Sequence, residues 1–65
     1  MKPGMKWFVE IIHERTQESR IEACGSLREA RAIAEMAEGQ IDFDPSTDCI
    51  AIYRGEDWQS AKLFE

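Results

Sequence analysis

Between Ala32 and Tyr53 the sequence has no lysine or arginine. That stretch carries Glu35, Glu38, Asp42, Asp44 and Asp48, and the eight remaining acids balance the eight bases, so the net charge of −5 resides in one third of the chain. Direct binding to nucleic acid needs a basic patch over the phosphates, and this distribution is the opposite. Apolar runs are short: none approaches the roughly 20 residues of a membrane span. The start, Met1-Lys2-Pro3-Gly4-Met5-Lys6, lacks the apolar core of a signal peptide. The expectation is a protein that stays in the compartment where it is made and touches no membrane.

Histidine and cysteine are scarce as well. His13 is the only histidine, and Cys24 and Cys49 are the only cysteines. No Cys-x-x-Cys pair exists, so a four-ligand zinc site cannot be assembled from neighbours, and no metal or cofactor is expected. Two cysteines are too few for a disulfide scaffold. They are read as small buried apolar residues in a reducing cytosol, with a disulfide between them left open. Gly-rich phosphate loops and metal-binding helix motifs are absent. Ser19, Ser26, Ser46 and Ser60 sit in no nucleophile motif. Catalysis by His13 would need a carboxylate or nucleophile beside it, and Glu14 falls on the other face of a strand. His13 is therefore expected to be a solvent-facing or edge residue, and no catalytic residue is expected.

The chain of 65 residues forms one domain, 1–65. A chain of this size buries only about 60% of the surface its unfolded form exposes, too little for a cleft enclosing cofactor and substrate together.

Residues 6–14 are rich in aromatic and β-branched types and predict a strand. Trp7, Val9 and Ile11 share one face, which is read as core; Lys6, Phe8, Glu10, Ile12 and Glu14 share the other. The polar stretch 15–19 reads as a connection and 20–24 as a shorter strand. Ser26 followed by Glu29 is a capping box. Leu27, Ala30, Ile33, Ala34 and Ala37 recur at helical spacing, and Gly39 is a natural stop, which predicts a helix over 27–38. Pro45-Ser46-Thr47-Asp48 is turn chemistry. Ile41 and Phe43 are expected to pin the 40–48 connection against the core. Residues 49–54 predict a third strand, Gly55-Glu56-Asp57 a tight hairpin turn, and 58–64 a fourth strand.

The fold class is therefore α+β: ββαββ, a four-stranded antiparallel sheet of order 2-1-3-4 with one helix on one face. One helix covers one face only. Phe8, Ile12, Tyr53 and Trp58 are then candidates for an apolar patch on the open face, where a homodimer or adaptor contact would hide them. The acidic stretch offers a second surface. Carboxylates two apart in extended chain lie roughly 6.6 Å from each other, an anion array on the scale of a nucleic-acid backbone. Glu35, Glu38, Asp42, Asp44 and Asp48 are the candidate contacts to a basic partner.

Three segments carry a resemblance: Lys-Trp-Phe-Val-Glu-Ile-Ile at 6–12, Arg-Ile-Glu-Ala-Cys-Gly-Ser-Leu-Arg-Glu-Ala-Arg-Ala-Ile-Ala at 20–34, and Ile-Tyr-Arg-Gly-Glu-Asp-Trp-Gln-Ser at 52–60. Together this layout resembles small phage-encoded anti-CRISPR proteins, including one that blocks the type I-F surveillance complex. The resemblance implies a compact antiparallel sheet with one helix and a cytoplasmic location in a bacterial host. It also implies non-catalytic inhibition, in which a host protein or ribonucleoprotein complex has its basic DNA-binding surface occluded. It carries no individual contact residue across.

Overall fold

The computed structural model describes residues 5–64. Met1–Gly4, on which the reading of the N-terminal segment rests, and Glu65 lie outside the described residues. The elements run β1 (Lys6–His13), β2 (Glu18–Cys24), α1 (Leu27–Glu38), β3 (Cys49–Gly55) and β4 (Lys62–Leu63). The sheet order is β2-β1-β3-β4, antiparallel at every neighbour. The expected α+β fold and strand order are thus the observed ones.

β1 and β3 are interior because they are the two most apolar strands. Its odd positions face the helix: Val9 pairs with Ile52 and Ile11 with Ile50 on β3. Val9 is 0% and Ile11 1% exposed. They form the core with Ile52, Ala30 and Ala37, and Trp7, Leu27, Ile33, Ala34 and Ile50 pack around it. Small alanines on the buried side of α1 let the helix lie close to the sheet. Trp7 closes one end of this layer, edge-to-face with Phe64 at 4.9 Å and with the Arg54 guanidinium 5.3 Å above its ring.

The helix starts where the capping signal places it. Ser26 has extended backbone, and its Oγ accepts the Glu29 N–H at 3.1 Å. It ends at Gly39, whose N–H donates to the Glu35 carbonyl at 3.2 Å. Gly39 stays in the right-handed region, so the stop does not use glycine's left-handed freedom. That conformation appears instead at Gln17, with φ 61, in the turn between β1 and β2. There the Gln17 amide reaches back to the Glu14 carbonyl at 2.7 Å, and β2 begins at Glu18, two residues earlier than expected.

The fourth strand is much shorter than expected. Asp57 Oδ1 accepts both the Ser60 N–H and the Ser60 hydroxyl at 2.9 Å, which curls residues 57–60 into a turn. Only Lys62–Leu63 pair with β3, opposite Arg54 and Tyr53. Gly55 permits the loop to fold back: a Cβ there would lie 2.6 Å from Ala61 Cα.

The two cysteines depart from the buried pair expected. Both are free thiols; Cys24 is half-buried and Cys49 exposed. They sit opposite Trp7 and Ile12, toward opposite ends of β1 and on opposite faces of the sheet. The Cys24 thiol donates to the Trp7 and Ser26 carbonyls at 3.6 and 3.7 Å, and burial pushes its pKa up.

Candidate functional site

The acidic stretch divides into two kinds of carboxylate. Glu35, Glu38 and Asp42 are exposed at the C-terminal end of α1 and the loop after it. A helix C-terminus carries partial negative charge, so bases are the stabilising residues there. The last turn of α1 has none, and Glu35 and Glu38 stand in their place. Asp44 is half-buried and builds the local turn: its Oδ1 accepts the Ser46 N–H at 3.0 Å and the Ser46 hydroxyl at 2.7 Å. These two bonds, with help from nearby Arg15, hold its carboxyl below the usual carboxylate range.

Asp48 was expected in the same exposed array. It is buried, 8% exposed, and its side chain organises the loop. Its Oδ2 accepts the Asp44 N–H at 3.0 Å, and its Oδ1 accepts the Glu14 N–H at 3.0 Å and the Thr47 hydroxyl at 3.1 Å. His13 Nδ1 lies 3.1 Å from Oδ2. A carboxylate only accepts, so Nδ1 carries the hydrogen of that contact. The backbone N–H of Asp44, then those of Glu14 and the His13 and Thr47 side chains, pull the Asp48 pKa down to about 2. Four donors from both sides of the loop make this carboxylate a clasp between the end of β1 and the approach to β3.

His13 is accordingly half-buried rather than solvent-facing, with its ring edge-to-face against Phe43 at 6.3 Å. Phe43 pins the connection as expected. Ile41 does not: it is fully exposed, because the Gln40 N–H to Ala37 carbonyl and Phe43 N–H to Gln40 carbonyl bonds turn it outward. A histidine oriented by a carboxylate is two thirds of a hydrolytic triad. The nearest strand serine, Ser19, pairs with Ile12 and so lies on the opposite face from His13. The Thr16 hydroxyl donates to Glu18 at 3.4 Å. An open hollow of about 710 Å³ beside the pair is lined by both signs of charge, including Arg15, Arg20, Glu18 and Asp42. No cluster of three or more His, Cys, Asp or Glu side chains suited to a metal ion occurs among the described residues. Among them, too, no helix is long and apolar enough to cross a membrane.

The open face is partly covered by the chain itself. The 56–61 loop lays Trp58 on Phe8 at 5.9 Å and edge-to-face on Tyr53 at 4.9 Å. Phe8 is left 6% exposed and is closed to a partner. Ile12, Tyr53 and Trp58 remain half-buried. The Tyr53 hydroxyl donates to Glu10 Oε1 at 3.2 Å, and burial, then Glu10, raises the Tyr53 pKa.

Sequence reasoning missed the Asp48 clasp. Its signal was present: Asp44-Pro45-Ser46 is a side-chain-capped turn, and the acid that ends such a turn before a strand can reach the lone histidine at the end of the neighbouring strand. The chain matches no protein-family model, no curated protein and no solved structure.

Proposed function

We propose that this chain is a non-catalytic inhibitor that covers a basic, nucleic-acid-binding surface of a larger complex with its acidic end. The observation that carries the reading is the last turn of α1. Glu35 and Glu38 sit where the helix dipole disfavours acids, and Asp42 extends the array on the following loop. Both carboxylates are exposed, so their charge is open to a basic partner. The clasp at Asp48 supports the same reading, because it fixes the loop that displays Asp42 and Asp44, and an ordered loop loses less freedom on binding. Against catalysis stands the lack of a nucleophile for His13: Ser19 pairs with Ile12 on the other face, and the Thr16 hydroxyl donates to Glu18. The resemblance to phage-encoded anti-CRISPR proteins nominates the target class, a type I CRISPR surveillance complex in the bacterial cytoplasm. The alternative surface, the open sheet face, ranks second because Trp58 already covers Phe8.

The test is competition. A purified type I surveillance complex is mixed with labelled target duplex, with and without prior addition of the chain, at two ionic strengths. The expected result is that the parent blocks duplex binding, less so at high salt, and that the Glu35→Lys/Asp42→Lys double variant does not. Glu35→Lys gains from the dipole but sets a like charge four residues from Arg31, so far-ultraviolet circular dichroism at the assay temperature should show the double variant folded. Unchanged duplex binding with excess parent, or equal inhibition by the double variant, overturns the proposal.

A further inference from the structure

We infer that the free edge of β2 pairs antiparallel with the same edge of a second copy, about a two-fold axis at Ile21. β2 lies at the margin of the sheet, bonded to β1 alone. Its seven residues keep an unbroken register without proline or bulge, and the charges that could guard the edge on the helix face, Arg20 and Glu22, are opposite in sign. Apolar groups flank that edge in both layers. Met36, 69% exposed, lines a shallow hollow above Arg20 and Glu22 on the helix side, and Ile21, 40% exposed, stands with Ala23 on the open side.

The charges select the occupant and its register. Arg20 and Glu22 share the helix face and pair within the strand at 3.4 Å, both side chains about half exposed. With the two Ile21 residues opposite each other, Arg20 faces the second copy's Glu22, and Glu22 faces the second copy's Arg20. Opposite charges across strands stabilise, and like charges oppose pairing. Sliding the copies two residues one way sets Glu22 against Glu22; the other way sets Arg20 against Arg20. A single register of self-pairing is therefore neutralised on both sides of the axis. A partner of another sequence would need this alternation supplied by chance, whereas a second copy carries it by construction.

Sedimentation equilibrium over a concentration series tests the inference. The parent is expected to dimerise reversibly. Arg20→Glu and Glu22→Arg each place like charges at both symmetric contacts and should weaken the dimer about tenfold. The double variant Arg20→Glu/Glu22→Arg should restore it. An equimolar mixture of the two single variants should form a heterodimer, because an all-acidic edge then meets an all-basic one. Both side chains are about half exposed at the edge, so circular dichroism should show all variants folded. A parent that remains monomeric throughout, or a dimer indifferent to the single exchanges, overturns the inference; the second result would assign the contact to the open sheet face.

Discussion

Ile11 and Ile41 differ only in where the fold places them, which makes the pair a direct test of the core. Ile11 is 1% exposed on the central strand, between Arg20 and Ile50 and under α1. Trimming it to alanine removes three carbons, worth about 2.4 kcal/mol at roughly 0.8 per buried methylene. Incomplete collapse of the resulting cavity brings the expected loss to about 3 kcal/mol. A domain of this length holds only about 3–10 kcal/mol in total, so Ile11→Ala should sit near the edge of folding. In urea, with a slope of about 1 kcal/mol/M for so small a chain, the midpoint should fall by about 3 M. Ile41 exposes its whole side chain. Ile41→Ala should therefore shift stability by less than about 0.5 kcal/mol. Equal midpoint shifts for the two variants, or a loss under about 1 kcal/mol at Ile11, would refute the assignment of the β1 face and of the 39–42 turn together.

Ser26→Ala should cost about 1 kcal/mol in the same urea titration, since it leaves the Glu29 N–H without its acceptor. Asp48 ties stability to pH. Its folded pKa, about 2, is below its ordinary 3.8, so its contribution is complete above about pH 4 and is lost as pH falls toward 2. Melting temperatures from pH 7 to 2 should drop through that window, and Asp48→Asn should lower the melting temperature at pH 7 and flatten the acid limb. An unchanged acid limb would show that the clasp contributes nothing. Gly55→Ala should strain the 56–61 loop through space rather than backbone dihedrals, because the new methyl meets Ala61 Cα at 2.6 Å. Loss of near-ultraviolet circular dichroism with retained far-ultraviolet signal would mark the lifted loop; unaltered near-ultraviolet spectra would count against the close approach.

The parts of the fold that sequence makes legible are those with local causes. The α1 boundaries follow from Ser26, Glu29 and a run of alanines at helical spacing. β1 and β3 follow from their aromatic and β-branched residues between turn signals, and strand order follows from putting the two most apolar strands in the middle. Residues 58–61 show the limit. Trp58 suits a strand by type, but the two bonds that the Ser60 N–H and hydroxyl donate to Asp57 Oδ1 outweigh that preference and turn the chain. Asp48 shows the limit for the candidate site. Its place at the end of the Asp44-Pro45-Ser46 turn sets it apart from Asp42 locally, but its burial depends on His13 and Glu14, more than thirty residues away. Cys49 is exposed for a similar reason, since the open face at its end of β3 has no second layer above it.

The two tryptophans stand on opposite faces of the sheet. Trp7 shares the helix layer with Phe64 and Arg54, and Trp58 shares the opposite layer with Tyr53 and Phe8. Each layer thus contains its own fluorophore. Tyr53 lies 4.9 Å from the Trp58 ring, so lifting the loop moves that indole from the Tyr53 and Phe8 rings into water and shifts its emission. A Trp7→Phe variant would report the loop alone and a Trp58→Phe variant the helix layer alone. Unfolding followed by emission in the two variants would therefore show whether the faces of this sheet come apart at the same time.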